Sequence, residues 1–156
     1  MKYKIGVISD THGLLRPHVL THFQGMDLII HAGDIGSPEI LTKLKTITNT
    51  TAVLGNMDVP YYYPGITTTK SLEILEKKIY VIHNIDMLNI DPTELGIDLI
   101  IFGHSHRPTL QKKSNVLYFN PGSAGPQRFK LPITLGMINI TENKITGKHI
   151  RIKPQS

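Results

Sequence analysis

The sequence predicts an α/β domain with a parallel part followed by an antiparallel part, and three observations lead to this fold class. In the first half, apolar strand-like runs alternate with helix-like segments. A βαβαβ order of this kind predicts a parallel sheet with right-handed crossovers. In the second half, strand-like runs come in pairs separated by short turns, which predicts hairpins. The length of 156 residues fits one domain over 1–156, and no internal repeat or linker divides it.

The parallel part begins with the strand-like run YKIGVIS and a helical segment around Leu15 to Phe23. A second strand, DLIIHAG, precedes the second helical segment, SPEILTKLKTI. That helix has Ser37 as its N-cap, Pro38 at the first helical position and Glu39 in the first turn. TAVLGN follows as the third predicted strand.

From Ile66 onward the pattern predicts three hairpins. TTTKSLEIL and KKIYVIHN flank the first turn, HRPTLQ and NVLYFN flank KKS, and ITLGMINI and KITGKHIRI flank TEN. Between the first two hairpins lies the apolar run DLIIFG, which leads directly into HSHRP. A histidine pair directly after a buried strand is poorly placed for packing and well placed for chemistry.

Composition excludes several classes of protein. With 40% hydrophobic and 19% charged residues, the chain is not disordered, collagen-like or coiled-coil. No apolar run approaches the ~20 residues that span a bilayer, and MKYKIGVISD lacks the pattern of a signal peptide. The absence of cysteine excludes disulfides and a thiol nucleophile. We therefore expect a cytoplasmic protein without a membrane partner. The net charge of +5 is scattered, so it favours nucleic acid only weakly.

Five strand-like runs end in side chains that can bind a metal. They are Asp10 and His12 in DTH, Asp34 in GD, Asn56 and Asp58 in GNMD, His83 in IHN, and His104 and His106 in GHSH. Ligands of α/β sheets bind at the carboxyl ends of strands, where the loops converge. Side chains at i and i+2 of an extended segment share a face, so the Asp-x-His and His-x-His pairs can each aim two groups at one place.

Taken singly, each of these motifs also has a structural explanation. Asp-x-His can cap a helix, and Gly-Asp and Gly-Asn often form turns. The ordered series at successive strand ends has no such explanation. The other histidines lack this setting: His18, His22 and His149 are predicted to lie at the surface, and His31 is predicted to be a buried, supporting residue.

Seven ligands are too many for one ion. Three carboxylate or amide oxygens and four imidazoles suit two ions about 3.5–4 Å apart, bridged by a carboxylate and a water. This donor set favours manganese, with nickel, iron and zinc as further candidates, over magnesium or calcium. A metal pair lowers the pKa of its bridging water, and the hydroxide attacks a phosphate in line. A dinuclear hydrolase follows, with phosphoester cleavage as the leading reaction and peptide or lactam hydrolysis as the alternatives.

The series DTH, GD, GNMD, H and GHSH resembles the calcineurin-like metallophosphoesterases, and above all their small single-domain phosphodiesterases from bacteria and archaea. The resemblance extends from Ile5 to about Ile152 and includes NPGSAGPQR. It implies a four-layer αββα sandwich of two mixed β-sheets flanked by helices. The parallel half and the hairpin half of the chain would then form two packed sheets.

The resemblance also implies a role for each residue that matches a family motif. One metal would be held by Asp10, His12 and His106, the other by Asn56, His83 and His104, with Asp34 as the bridge. Asn56 and His104 would also lie near the phosphate, and the turn 121–123 would support the histidine loop. Arg128 is a candidate phosphate clamp, because a guanidinium can bind two oxygens at once; a surface ion pair is the alternative.

Three departures from the family pattern bear on function. Met57 stands where larger members have a histidine that protonates the leaving group, so Asp58 is either an acid or a residue that fixes the Asn56 loop. The segment GDIGSPEI lacks the second aspartate and the arginine of the longer family motif. Asn84 follows His83 where a glycine is usual, which predicts a narrower rim.

The sequence thus predicts a metal-dependent phosphodiesterase with a small phosphodiester substrate. Two other functions stay open at this point: a protein-binding scaffold with a vestigial metal site, as in the retromer subunit of this fold, and a nuclease. The natural substrate, the resident metal and any homo-oligomer are not fixed by the sequence.

Overall fold

Two five-stranded sheets form the framework of the structure, a computed structural model that describes residues 1–154. The strands are β1 (Tyr3–Ile8), β2 (Leu28–His31), β3 (Thr50–Ala52), β4 (Thr69–Ile74), β5 (Lys77–Ile82), β6 (Leu99–Ile101), β7 (Thr109–Lys113), β8 (Val116–Asn120), β9 (Ile133–Ile140) and β10 (Ile145–Ile152). The helices are α1 (Pro17–His22) and α2 (Pro38–Lys45), and short 3₁₀ turns cover Pro60–Tyr62 and Ile85–Met87. The prediction of one domain over 1–156 extends two residues beyond the described part of the chain and stays a prediction.

The first sheet has the order β10-β9-β1-β2-β3. Its β1, β2 and β3 are parallel and are connected through α1 and α2, as the βαβαβ pattern predicts. Helix α2 begins at the predicted N-cap, Ser37, with Pro38 in the first turn. The Ser37 hydroxyl donates to the Glu39 carboxylate and does not cap the backbone.

The second sheet has the order β4-β5-β6-β8-β7. All three predicted hairpins are present, as β4–β5, β7–β8 and β9–β10. The hairpin half of the chain is divided between the two sheets, however. The β9–β10 hairpin joins the first sheet, where β9 pairs antiparallel with the otherwise open edge of β1, and β5, β6 and β8 pair in parallel. Covering the edge of a buried strand explains why the chain returns to β1.

Apolar side chains fill the space between the sheets and the outer face of the first sheet. Ile5 and Val7 of β1 point towards β5, β6 and β8, while Ile8 packs with Phe23 and Leu44 on the helical side. This alternation is that of a strand buried on both faces.

The outer face of the second sheet is covered differently from the first. A third cluster there combines Ile100 and Val116 with Ile85, Leu88 and Ile90 of the segment that connects β5 to β6. An α/β sandwich of two mixed sheets is therefore confirmed, with a loop and a 3₁₀ turn as its fourth layer. Neither α-helix in the range 1–154 is long and apolar enough to cross a membrane.

Candidate metal centre

The predicted ligands converge at one end of the two sheets, where β1, β2, β3, β5 and β6 finish. Two groups of potential ligand atoms lie within binding distance of a common point. One group is Asp10, His12 and His106, and the other is Asp10, Asp34 and His83. Both draw on side chains that are buried or nearly so.

The first group matches the ligand set implied by the resemblance. His106 Nε2 lies 3.3 Å from Asp10 Oδ1, and His12 Nε2 lies 3.8 Å from the same oxygen. His12 Nε2 is also 3.8 Å from Asp34 Oδ2. Three ligand atoms from three different loops therefore face one small volume.

The second group is centred on Asp34. His83 Nε2 lies 3.2 Å from Asp34 Oδ2 and 3.8 Å from Asp10 Oδ1. The other ring nitrogen of His83, Nδ1, donates to the Ala32 carbonyl at 2.7 Å, which fixes the ring and leaves Nε2 free to bind a metal. Asp34 Oδ2 therefore stands between His12 and His83, the position of a bridging carboxylate.

Asn56 and His104 lie at the exposed rim of the same site. His104 Nδ1 is 3.2 Å from Asn56 Oδ1, and the His104 ring packs edge-on against His83 with centroids 5.3 Å apart. The structure thus brings Asn56, His83 and His104 together, although His104 is not within either group of converging ligand atoms.

Unpaired buried atoms give an independent sign that the site suits a cation. Within residues 1–154, five buried side-chain atoms lack a hydrogen-bond partner, and four of them belong to this cluster: Asp10 Oδ1, His12 Nε2, His83 Nε2 and His106 Nδ1. Leaving buried polar atoms unpaired costs about 1–3 kcal/mol each. Carboxylate oxygens and imidazole nitrogens are a donor set that first-row transition metals bind well. The residues present therefore fit divalent metal ions.

Backbone strain is also concentrated at this site. Asp10, His12, Asp34, His104 and His106 all have φ between 45° and 73°, in the left-handed region. A residue with a Cβ atom pays roughly 1–2 kcal/mol to adopt this conformation. Such outliers cluster where function requires a particular side-chain direction, and here five of the seven predicted ligands share it.

Two glycines let the loops approach the carboxylates closely. A Cβ atom on Gly55 would overlap Asp34 Oδ1, and one on Gly103 would overlap Ser9 Oγ. Glycine at these positions therefore allows the loop after β3 and the loop after β6 to close over Asp34 and Asp10.

Electrostatic interactions hold the carboxylates ionised. Burial raises the pKa of Asp10, but the nearby His106 ring and the hydrogen bond from Ser9 outweigh this effect, so the net pKa is lowered. For Asp34, burial again raises the pKa, while the nearby His83 ring and the hydrogen bond from the Met57 N–H lower it by more. For His83 the net pKa shift is in the opposite direction. Burial lowers its pKa, but the carboxylates of Asp34 and Asp10 raise it by more, so the pKa of His83 is raised overall.

His31 is buried behind the cluster, as predicted. Its Nδ1 accepts from the Gly33 N–H at 3.1 Å, and its Nε2 is 2.9 Å from Thr11 Oγ1, which donates to the Ile35 carbonyl. Because Nδ1 accepts, Nε2 carries the proton. Burial lowers the pKa of His31 to about 3, so the ring is neutral and positions the Asp10 and Asp34 loops.

Asp58 makes the contacts expected for the second of the two roles considered from the sequence, that of a residue that fixes the Asn56 loop. Its carboxylate accepts from the N–H groups of Ile35 (2.9 Å), Gly36 (3.2 Å) and Gly55 (2.8 Å). It therefore ties the Asp34 loop to the Asn56 loop, which favours a positioning role, and the catalytic role stays a prediction. The Met57 side chain is 67% exposed, and only its backbone N–H contributes, as a donor to Asp34 Oδ1 at 2.9 Å.

Arg128 lies near enough to His12 for its charge to contribute to the lowered pKa of that ring, after the larger effect of burial. Its side chain is exposed and forms no hydrogen bond or ion pair with any residue from 1 to 154. This position favours a clamp for an incoming anion over a surface ion pair.

His149 was expected at the surface, but the structure shows it half-buried. Its ring stacks on Phe119 with centroids 4.7 Å apart, and its Nε2 donates to the Asn120 carbonyl at 2.7 Å.

Three polar residues support the site; Ser123 belongs to the turn predicted to do so, and sequence reasoning missed Ser9 and Asn120. Ser9 Oγ donates to Asp10 Oδ2 at 2.6 Å, and Ser123 Oγ donates to the Asp10 carbonyl at 3.0 Å. Asn120 Nδ2 donates to the Gly103 carbonyl at 3.0 Å and so fixes the loop of the two histidines. A buried polar residue at the end of the apolar strand VLYFN was the available signal for Asn120.

Comparison with known proteins agrees with this site. The model of the calcineurin-like phosphoesterase superfamily domain matches residues 3–143. A probable metallophosphoesterase of Methanothermobacter thermautotrophicus is 35% identical, over 94% of this chain and 91% of the relative. A phosphodiesterase of Methanocaldococcus jannaschii is 26% identical, over 90% of this chain and 95% of the relative.

Among solved structures, a zinc complex of Vps29 from Entamoeba histolytica has a TM-score of 0.75, with 20% identity over 96% of this chain and 98% of that chain. This likeness shows the shared fold, which both sheets and their order already describe. The family match and the metallophosphoesterase relative together establish that this chain belongs to the calcineurin-like phosphoesterase superfamily.

Proposed function

We propose that the protein is a dinuclear metal-dependent phosphodiesterase that hydrolyses small phosphodiesters. The observation that carries the proposal is the convergence of buried Nε2 atoms from three histidines on Asp10 Oδ1, with Asp34 Oδ2 beside two of them; the three are His12, His83 and His106. Bound ions would supply a bridging hydroxide for in-line attack and would neutralise the phosphate oxygens. Manganese is the leading ion for this donor set, with nickel, iron and zinc as the others.

The chain's own residues would hold and orient the ester. Asp10, His12 and His106 would hold one ion, His83, Asn56 and His104 the other, and Asp34 would bridge them. Asn56 and His104 are exposed at the rim and can donate to a phosphate oxygen, and Arg128 presents an unpaired guanidinium nearby. Met57 has no proton to donate, so the leaving group would depart with little assistance.

A scaffold and a nuclease are the alternatives. The complete set of ligand residues, with unpaired atoms facing one volume, supports an enzyme over a scaffold with a vestigial site. For a nuclease, the net charge of +5 is the one favourable observation, and it is spread along the chain. A small diester therefore remains the proposed substrate.

The test is a reconstitution experiment. Protein stripped with a chelator should be inactive towards bis(p-nitrophenyl) phosphate, and manganese should restore activity as two ions bind per chain. Single-stranded DNA, assayed in parallel, should be hydrolysed much more slowly. Two bound ions without hydrolysis of any ester would support the scaffold, and preferential cleavage of DNA would support the nuclease.

A further inference from the structure

An apolar groove with a volume of about 460 Å³ opens beside the metal centre. Its apolar lining includes Leu54, Ile82 and Met87, and Asn56 and His83 also line it. The last two residues belong to the ligand set as well, so the groove and the metal centre share a wall. The volume lies within the range of about 300–1,000 Å³ that is typical of small-molecule sites.

The lining of the groove excludes a charged occupant. It consists of aliphatic, methionine, threonine, asparagine and glycine residues together with His83, and contains no lysine, arginine, aspartate or glutamate. A second phosphate, or the backbone of a nucleic acid, would find no counter-charge here. A neutral group fits, and the exposed amides can bond to its polar edge.

Asn84, the residue that stands where the family pattern has a glycine, positions Met87 at the groove. Asn84 Oδ1 accepts from the Asp86 N–H at 3.0 Å and so caps the 3₁₀ turn Ile85–Met87. The cap holds Met87 beside the groove although 69% of its surface is exposed. A methionine thioether makes favourable contacts with aromatic rings, and an exposed one next to a ligand site is suited to that purpose.

We propose that the groove binds an aromatic substituent of the phosphate ester, so that the substrate class is a diester with a neutral, planar organic group. This inference rests on the proposed function, because the phosphate must be held by Asn56, His104 and the metal centre for the substituent to reach the groove. Met87 then acts as a specificity residue that contacts the ring.

The first test compares two inhibitors of bis(p-nitrophenyl) phosphate hydrolysis that differ only in the organic group. Phenyl phosphate should bind about tenfold more tightly than methyl phosphate, since only the phenyl ring buries apolar surface in the groove. Met87→Ala should reduce this ratio to about threefold. Leu95→Ala is the matched control, because Leu95 is an exposed apolar residue (50%) of the same β5–β6 connection but does not line this groove, and it should leave the ratio unchanged.

The second test does not depend on turnover. In zinc-loaded protein with ¹³C-labelled methionine methyl groups, phenyl phosphate should shift the Met87 signal among the five methionines, and methyl phosphate should not. A wild-type inhibition ratio near one, or an unshifted Met87 signal at saturating phenyl phosphate, would overturn the groove assignment. If no ester is hydrolysed at all, the proposed function fails, while the methyl spectrum still decides whether the groove binds the ring.

Discussion

Replacing Asp58 with asparagine separates a loop clamp from a catalytic acid. Three backbone N–H groups, of Ile35, Gly36 and Gly55, donate to the two oxygens of this buried carboxylate. Asparagine keeps the size of the side chain but turns one oxygen into an NH₂ donor. If its remaining oxygen faces Ile35 and Gly36, the Gly55 N–H meets a donor and loses its partner.

The magnitude follows from that count. A hydrogen bond to a charged group contributes about 1.5–3 kcal/mol, and the two that survive weaken to the neutral level of about 1 kcal/mol. One lost and two weakened bonds add up to about 2.5–7 kcal/mol. Because the Gly36 bond is already long at 3.2 Å, we expect Asp58→Asn to lower the free energy of unfolding by an amount near the lower end, about 3 kcal/mol. The protein should still fold, because the free energy of unfolding of natural domains is about 5–15 kcal/mol.

Urea unfolding in the presence of a chelator measures this loss without a contribution from bound metal. Asp91→Asn is the control, because Asp91 is an exposed aspartate whose Oδ1 accepts from the Thr93 and Glu94 N–H groups. Since asparagine caps as well as aspartate does, the control should stay within about 0.5 kcal/mol. The reasoning is refuted if Asp58→Asn is as stable as the wild type and loses activity only towards diesters with poor leaving groups, which is the behaviour of an acid.

Four further predictions concern the site and its surroundings. Asp34→Asn should abolish activity and weaken binding of both ions in a metal titration while circular dichroism shows a folded protein; near-normal turnover would exclude the bridge. His106→Ala should weaken the ion at Asp10, whereas His104→Ala should weaken the other ion and also lower kcat, and identical metal affinities in the two variants would contradict this division. Because Met57 donates no proton, rates in a leaving-group series should fall steeply with leaving-group pKa, and Met57→His should recover part of the about 10²–10⁴-fold that an acid contributes; a flat series in the wild type would reveal another acid. Burial, with the charges of Asp58 and Glu39, raises the pKa of Tyr63 to about 12, so its contribution to stability is fully present below about pH 10 and is lost as the pH rises through about 12. In a tyrosinate absorbance titration, Tyr63→Phe should remove the step near pH 12, and an unchanged curve would be inconsistent with this.

The site was easier to predict than the sheets that carry it. Strand ends can be predicted locally, because an apolar run followed directly by polar residues is visible in the sequence; Asp10, Asp34 and His83 stand at such ends. The strand that pairs with β9 cannot be predicted from such local runs. Pairing between distant segments depends on which strand edge is left open after β1, β2 and β3 assemble. Local pattern therefore identified the hairpins but left open which sheet the β9–β10 hairpin joins.

The sequence likewise predicted the side-chain roles that depend on residue type and missed those that depend on contacts between distant segments. Residue type and spacing predicted the carboxylates and histidines, because few residues can bind a metal. Asp58 was ambiguous, since its role depends on N–H groups 22 and 23 residues away, which only the folded loops bring to it. His149 was misassigned because its contacts with Phe119 and Asn120 join β10 to the end of β8, a relation that no local pattern contains.

The return of β9 to the side of β1 has a consequence for how the protein is made. β1 (Tyr3–Ile8) leaves the ribosome well before the strand that covers its second edge, because that strand begins only at Ile133. At about 5–20 residues per second, that edge stays open for roughly 6–25 s of each round of synthesis. An unpaired apolar strand is a template for wrong partners, so the nascent chain is exposed to aggregation until the β9–β10 hairpin emerges. Slowed translation of the codons between β8 and β9 should therefore lower the yield of folded protein more than the same delay within β1.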